Sequence, residues 1–275
     1  RKKNQTKKTE THKQHNTQQR YTMSKHRPEN TAPPELFYDT NQAKKYAQNS
    51  RILDIQTKMS ERAIELLAIP EDNTTPMLIL DIGCGSGISG QTLSEQGHQW
   101  IGVDISRPML EVARENEVDG DLFQSDMGQG LFFRVGMFDA AVSISAVQWL
   151  CNADKKDHVP QKRLMRFFST LYRSLRKGAR AVFQFYPENP QQMELITQSA
   201  MKAGFSGGMV VDYPNSARAK KYFLVLFAGI PDRVAQKQMP KGLEDENEAS
   251  QQSVKNVSAR KNHEKRGKGK DRVMI

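Results

Sequence analysis

Apolar positions along this chain change period several times, and each change marks an element. From about Asn41 the spacing is helical, and Ile52, Ile55, Met59, Ala63 and Leu66 recur every three or four residues. "MLILDIG" (77–83) then runs almost continuously apolar, as a strand buried on both faces does. "QWIGVDI" (99–105), "FDAAVSIS" (138–145) and "ARAVFQFY" (179–186) have the same character. Helical patterns fill the gaps. Residues 88–96 lead out of a glycine loop, and Ser106 is placed to cap a helix with Pro108 in its first turn. In "QKRLMRFFSTLYRSL" (161–175), Leu164, Phe167, Phe168, Leu171, Tyr172 and Leu175 make one apolar stripe, and Lys177-Gly178 is expected to end it. Repeated strand, helix, strand implies a parallel sheet with helices on both faces.

The end of the sheet reads differently. "MVVDY" (209–213) and "KYFLVLFA" (221–228) are separated by a short polar stretch, "PNSARAK". That length cannot hold a crossover helix, so the pair is expected to be an antiparallel hairpin. A mostly parallel seven-stranded Rossmann-like sheet closed by such a hairpin is the α/β architecture of class I S-adenosylmethionine-dependent methyltransferases. Its usual strand order, 3-2-1-4-5-7-6, puts the third strand, "GDLFQSDM" (120–127), at an edge with Leu122 and Phe123 exposed.

Charge refines the domain picture. The chain has 275 residues and net charge +10. Residues 1–22 carry seven Lys/Arg and one acid; residues 251–275 carry eight and two. The stretch between them is slightly acidic, so the basic character lies in the ends, as in arms that meet a polyanion. A solvated, unstructured end is the alternative reading. Residues 1–22 contain no Leu, Ile, Val or Phe and read as a disordered upstream extension. Residues 23–50 read as an N-terminal segment over the ligand site, 51–230 as the catalytic domain, and 231–275 as a flexible basic tail. Cys84 and Cys151 have neither a CxxC partner nor metal-ligand spacing, so no metal site is expected and a reducing compartment is. No apolar run reaches membrane-spanning length.

The chemistry centres on "LDIGCGSG" (80–87) and "GVDIS" (102–106). Gly85, Gly87 and Gly90 satisfy G-x-G-x-x-G, and Asp104 follows nineteen residues after Gly85, which is formally the dinucleotide fingerprint. That fingerprint requires a pyrophosphate at the helix N-terminus. Asp81, two residues before Gly83, would repel one. The same carboxylate suits the cationic amino end of S-adenosylmethionine, which carries no phosphate. Gly83, Gly85 and Gly87 then serve close backbone approach. Asp104 is expected to accept from both ribose hydroxyls, beside Ile105. Asp126, in "SDM", is expected at the adenine amino group with Met127 against the ring. Asp81 as a cap of the following turn, and Asp126 as an ordinary turn aspartate, are the alternatives.

The end of the fourth strand faces the reacting methyl in this fold, and here it reads "SISAVQWLCNADKK". It lacks the Asn/Asp-Pro-Pro-aromatic tetrad of exocyclic-amine enzymes. Cys151 lacks the setting of a cytosine-C5 nucleophile, and no His/Asp pair is placed to deprotonate a hydroxyl. What remains is an acceptor that needs no deprotonation, of which guanine N7 is one. Gln148 could bond a base edge and Trp149 stack on it, or Trp149 could be a core aromatic beneath the pocket. Arg163, Arg166 and Arg173 could hold phosphates or form a solvated helix face.

Longer stretches are more specific. "RPENTAPPELFYDTNQAKKY", "ILDIGCGSGISG", "AVQWLCNAD", "RLMRFFSTLYRSLRKGA", "QFYPENPQQMELI" and "AGFSGGMVVDYPNSARAKKYFLVL" closely resemble the eukaryotic 18S rRNA (guanine-N7)-methyltransferase family, from about Arg27 to Leu226. The resemblance implies methylation of one guanine of 18S rRNA in pre-40S particles during small-subunit biogenesis. It implies a nuclear site of action (nucleoplasm and nucleolus, also cytoplasm), no membrane, and S-adenosylmethionine held by Asp81, Gly83, Gly85, Asp104, Asp126 and Met127. It also implies a small zinc-binding activator subunit, expected to add a strand at the exposed third-strand edge. A small-molecule methyltransferase and an assembly factor whose presence outweighs its chemistry are the rival readings.

Overall fold

A computed structural model describes residues 27–70, 73–216, 218–229 and 239–244; the expectations for 1–22 lie outside them. Seven strands form one sheet: β1 (Leu78–Ile82), β2 (Gln99–Asp104), β3 (Asp121–Gln124), β4 (Phe138–Ile144), β5 (Leu175–Phe185), β6 (Phe205–Asp212) and β7 (Lys221–Ala228). The order is β3-β2-β1-β4-β5-β7-β6. Strands β1 to β5 pair in parallel, whereas β7 runs antiparallel to both β5 and β6. This is the expected class I methyltransferase topology, with the hairpin at one end and β3 at the other.

Alternation along each strand splits the core into two layers. Ile79 points to one face with Val142, Val182 and Val225; Leu80 points to the other with Ala141, Phe183 and Leu224. The first layer is closed by Met59, Ile64 and Leu67 of the helix Ser50–Leu67, Leu93 of Ile88–Glu95 and Leu110 of Arg107–Glu115. The second is closed by Leu164, Phe167, Phe168 and Leu171 of Pro160–Ser174, and Ile196 and Ala200 of Pro190–Lys202. Each of these large side chains is worth about 1.5–3 kcal/mol when taken from water, so both layers are needed to hold the strand ends in place.

Local chemistry sets the boundaries. The helical spacing from Asn41 resolves into two helices, Thr40–Gln48 and Ser50–Leu67, because Asn49 turns extended and its side chain accepts from Ile52 N–H. Ser106 caps its helix as expected, accepting from Met109 N–H at 3.3 Å. The helix expected over 161–175 spans Pro160–Ser174. Leu175 is already extended and pairs with Phe138, so Gly178 (φ +84°) lies in an irregular start of β5 instead of ending a helix. Strand β6 begins at Phe205, four residues before the expected "MVVDY". Gly207 allows this, because a Cβ there would lie 2.0 Å from the Val225 carbonyl oxygen.

One domain expectation needs correction. The stretch 231–275 is not uniformly a free tail, because residues 239–244 dock on the outer end of β6. Tyr213 N–H donates to Leu243 O at 2.7 Å, and Leu243 N–H to Asp212 Oδ1 at 2.9 Å. Arg62 joins Asp212 through Nε and Nη2, at 2.9 and 3.1 Å, and donates from Nη2 to Lys241 O. The buried Asp212 carboxylate needs these donors.

Candidate active site

The C-terminal ends of β1, β2 and β4, with the turn after β3, open into one cavity of about 450 Å³, roofed by residues of the N-terminal segment. Such a cleft beside strand ends is the usual ligand site of open α/β sheets.

On the β1 side the loop Gly83–Gly87 turns on left-handed glycines. Gly83 has φ +73°, and a Cβ there would lie 2.3 Å from that of Ala146. Gly83 and Gly85 thus bring bare backbone to the cavity. Gly87 does not line it. It starts the helix Ile88–Glu95, and a Cβ would meet Val118 at 2.8 Å, so its role is packing, a correction to the expected ligand contact. Asp81 also differs from expectation. It is wholly buried beneath the loop, where Ser89 Oγ donates to Oδ2 at 2.6 Å, while Oδ1 has no partner. Burial, with Asp104 adding to it, raises its carboxyl to about 7. Asp81 therefore fixes the first turn of the helix and does not line the cavity.

Asp104, at the tip of β2, does face the cavity. Gly85 N–H donates to Oδ2 at 2.9 Å and Ser106 N–H to Oδ1 at 2.8 Å. Burial raises its pKa, and these backbone donors oppose the shift. Each carboxylate oxygen keeps a lone pair for one hydroxyl of a vicinal diol. Ile105 follows it along the wall.

Asp126 lies past the end of β3 and caps the turn Met127–Gln129, accepting from Gly128 N–H at 2.8 Å. Arg163 forks onto it from the helix Pro160–Ser174, with Nη2 at 2.7 and 2.9 Å from its two oxygens. Arg163 is buried and committed to this pair, so the phosphate role open to it from sequence is corrected; Arg166 and Arg173 are exposed. Gly128 makes room, since a Cβ there would strike the guanidinium at 2.4 Å. Asp126 retains acceptor capacity on Oδ2, and Met127 and Ile105 supply apolar surface for a flat ring.

At the end of β4, Ser145 adopts φ +57°, and its carbonyl accepts from Gln148 Nε2 at 2.9 Å. Gln148 lines the cavity, is almost fully buried, and leaves Oε1 without a partner. Trp149 is almost buried, as the core reading expects, and also reaches the cavity surface. It lines the cavity and packs on Phe37 and Tyr38, at 6.1 and 6.0 Å between ring centroids.

Sequence reasoning placed residues 23–50 over the site, and the described part of that segment does roof it, but it named none of the residues that reach in. Arg27, Glu29, Tyr38 and Tyr46 all reach the cavity from the N-terminal segment. Ser106 Oγ donates to Tyr38 O, and burial, with Asp104 and Glu29 adding to it, pushes the Tyr38 phenol up to about 12. The signal was an aromatic and charged stretch, "RPEN…ELFY", with no strand-end position to tie it to.

The donor set fits S-adenosylmethionine. A diol acceptor, a partly free carboxylate beside apolar walls and a glycine cradle stand at successive strand ends in the right order. Residues 79–178 match the methyltransferase domain family model. The magnesium protoporphyrin IX methyltransferase of Synechocystis, solved with bound S-adenosylmethionine, shares the fold with TM-score 0.52 at 17% identity, covering 74% of this chain and 97% of its own. The 18S rRNA (guanine-N7)-methyltransferase of mouse is 58% identical over 82% of this chain and 78% of its own length. That of Arabidopsis thaliana is 64% identical over 74% and 70%. Identity of this order over about three quarters of the chain or more, on the same catalytic fold, places the chain in the 18S rRNA (guanine-N7)-methyltransferase family.

Proposed function

We propose that this chain transfers a methyl group from S-adenosylmethionine to N7 of a guanine in 18S rRNA, as a step of small-subunit biogenesis. The observation that carries the reading is the 58% identity to the mouse enzyme over 227 residues, 82% of this chain. When bound, S-adenosylmethionine supplies an electrophilic methyl on a sulfonium. The chain's residues do the rest by binding and orientation. Asp104 takes the ribose, Asp126 with Met127 and Ile105 takes the adenine, and the Gly83–Gly85 backbone receives the amino-acid end. Guanine N7 carries a free lone pair, so no proton has to leave before attack. Orientation alone is worth up to about 7–11 kcal/mol, and the Ser145–Trp149 turn is placed to provide it.

The partner and place of action belong to the same proposal. The strand β3 is the outermost of the sheet, Phe123 on it is 50% exposed, and Phe132 beyond it is 83% exposed. An apolar edge of this kind favours cover by another chain, and we assign it to the small zinc-binding activator through strand addition. The reaction is assigned to pre-40S particles in the nucleus. The test is mass spectrometry of 18S rRNA nucleosides from cells with and without the protein. Loss of 7-methylguanosine at one position, restored by the wild-type gene and not by an Asp104 variant, is expected. Unchanged 7-methylguanosine refutes the reading.

A further inference from the structure

The cavity holds a carboxylate that cofactor binding as described above does not use. Glu29 lies in the roof, lines the cavity and is only 8% exposed. Its backbone is clamped from two sides. Asn152 Nδ2 donates to Glu29 O at 2.6 Å. The neighbouring Arg27 donates to Tyr186 O and Pro187 O, at 2.9 and 3.0 Å. Its carboxylate is poorly matched by comparison: among the described residues the nearest cation is Arg27 Nη1, at 3.4 Å, already engaged by the Tyr186 carbonyl. A carboxylate has about four lone-pair sites, and a buried one with a single long contact calls for further donors.

A second buried acceptor belongs to the same constellation. The turn Val147–Cys151, which carries Gln148, leads directly into Asn152, the residue that grips Glu29. Gln148 Oε1 is buried without a partner among the described residues, because the amide's nitrogen is turned to Ser145 O. Two underused acceptors thus line one cavity, Gln148 on the turn that follows β4 and Glu29 on the segment gripped by the residue after that turn. They call for a base edge rich in donors. The Watson–Crick edge of guanine offers N1–H and the 2-amino group, whereas adenine offers a lone pair at N1, which a carboxylate repels.

We propose that Glu29, assisted by Gln148, reads the Watson–Crick edge of the substrate guanine and so selects the base while N7 faces the methyl donor. The proposal rests on the guanine-N7 assignment and deepens it. It follows that the target guanine enters unpaired, since an edge bonded to Glu29 cannot also be base-paired.

The test uses the full chain saturated with S-adenosylhomocysteine, so that the adenosine site is filled, and titrates it with GMP, IMP and AMP by calorimetry. IMP keeps N1–H and N7 but lacks the 2-amino group. Wild type is expected to favour GMP over IMP by about tenfold or more, and over AMP by a wider margin, as a site built around substrate N–H groups does. Glu29→Gln, which is isosteric, should bring GMP and IMP within about twofold while affinity for S-adenosylmethionine stays unchanged. If Glu29→Gln melts well below wild type, Gln148→Leu reads the same preference from the other acceptor and should also narrow it. A wild-type protein that binds GMP and IMP alike overturns the proposal and leaves the reaction standing, provided 7-methylguanosine still depends on the protein. Weakened S-adenosylmethionine affinity in Glu29→Gln with the GMP preference intact also overturns it, since Glu29 would then face the cofactor's amino group. Absence of any protein-dependent 7-methylguanosine overturns both.

Discussion

Asp104→Ala gives the sharpest test of the cofactor site, because the structure separates two effects of one carboxylate. In the bound protein each oxygen is expected to accept from one ribose hydroxyl. Hydrogen bonds to a charged group are worth about 1.5–3 kcal/mol each, so the pair contributes about 3–6 kcal/mol. Even the lower figure corresponds to more than 100-fold in affinity. The second effect falls on the fold. Asp104 also accepts from Gly85 N–H and Ser106 N–H, at 2.9 and 2.8 Å. Gly85 borders the cavity, where water can replace the carboxylate, whereas Ser106 is buried and does not line it, so the penalty should fall within about 1–3 kcal/mol. Removing the Asp104 charge also relieves the buried Asp81, whose pKa it helps to raise. The melting temperature should therefore fall by only a few degrees, at about 2–4 °C per kcal/mol for a domain of this size. Calorimetry with S-adenosylmethionine and a thermal melt on the same samples read the two effects. A native-like melt with affinity within about threefold of wild type would refute the placement of the ribose.

Three further outcomes are expected. Burial lifts Asp81 to about 7 from 3.8, so the folded chain keeps a proton between those pH values that the unfolded chain has released. Folding stability from this group therefore falls as pH rises through the window, and Asp81→Asn should lack that slope; urea melts at pH 5 and 7.5 showing a constant wild-type-to-variant gap would contradict it. Trp149→Ala removes an almost buried indole between Phe37 and Tyr38 and should cost about 3–5 kcal/mol, with limited proteolysis appearing first in the roof, and wild-type protease resistance there would deny its role. Phe123→Glu, on the exposed β3 edge, should abolish co-purification with the proposed zinc-binding activator while leaving the melting curve of the isolated chain within about 2 °C; a complex of unchanged yield would refute the proposed docking edge.

Much of the molecule was legible in the sequence because it rests on local periodicity. Runs such as "MLILDIG" read as strands covered on both faces, and the eight-residue link between β6 and β7 excludes a crossover helix. Residues at strand ends were legible for the same reason: once a parallel sheet is given, Asp104, Ile105, Asp126 and Met127 have one place to be. Distances through space were not legible. Whether the carboxylate of Asp81 emerges into the cavity or stays beneath the loop depends on Ser89 reaching it at 2.6 Å. Spacing along the chain does not encode that contact. Arg163 reads as one more polar position on an amphipathic helix until the turn after β3 brings Asp126 to it across 37 positions. The place of the roof was legible, but not which of its residues reach the cavity. Glu29 is there because Arg27 ties its segment to Tyr186 O and Asn152 grips the Glu29 carbonyl, each across more than 120 positions. Such side-chain-to-backbone clamps follow no period, so only the folded chain decides them.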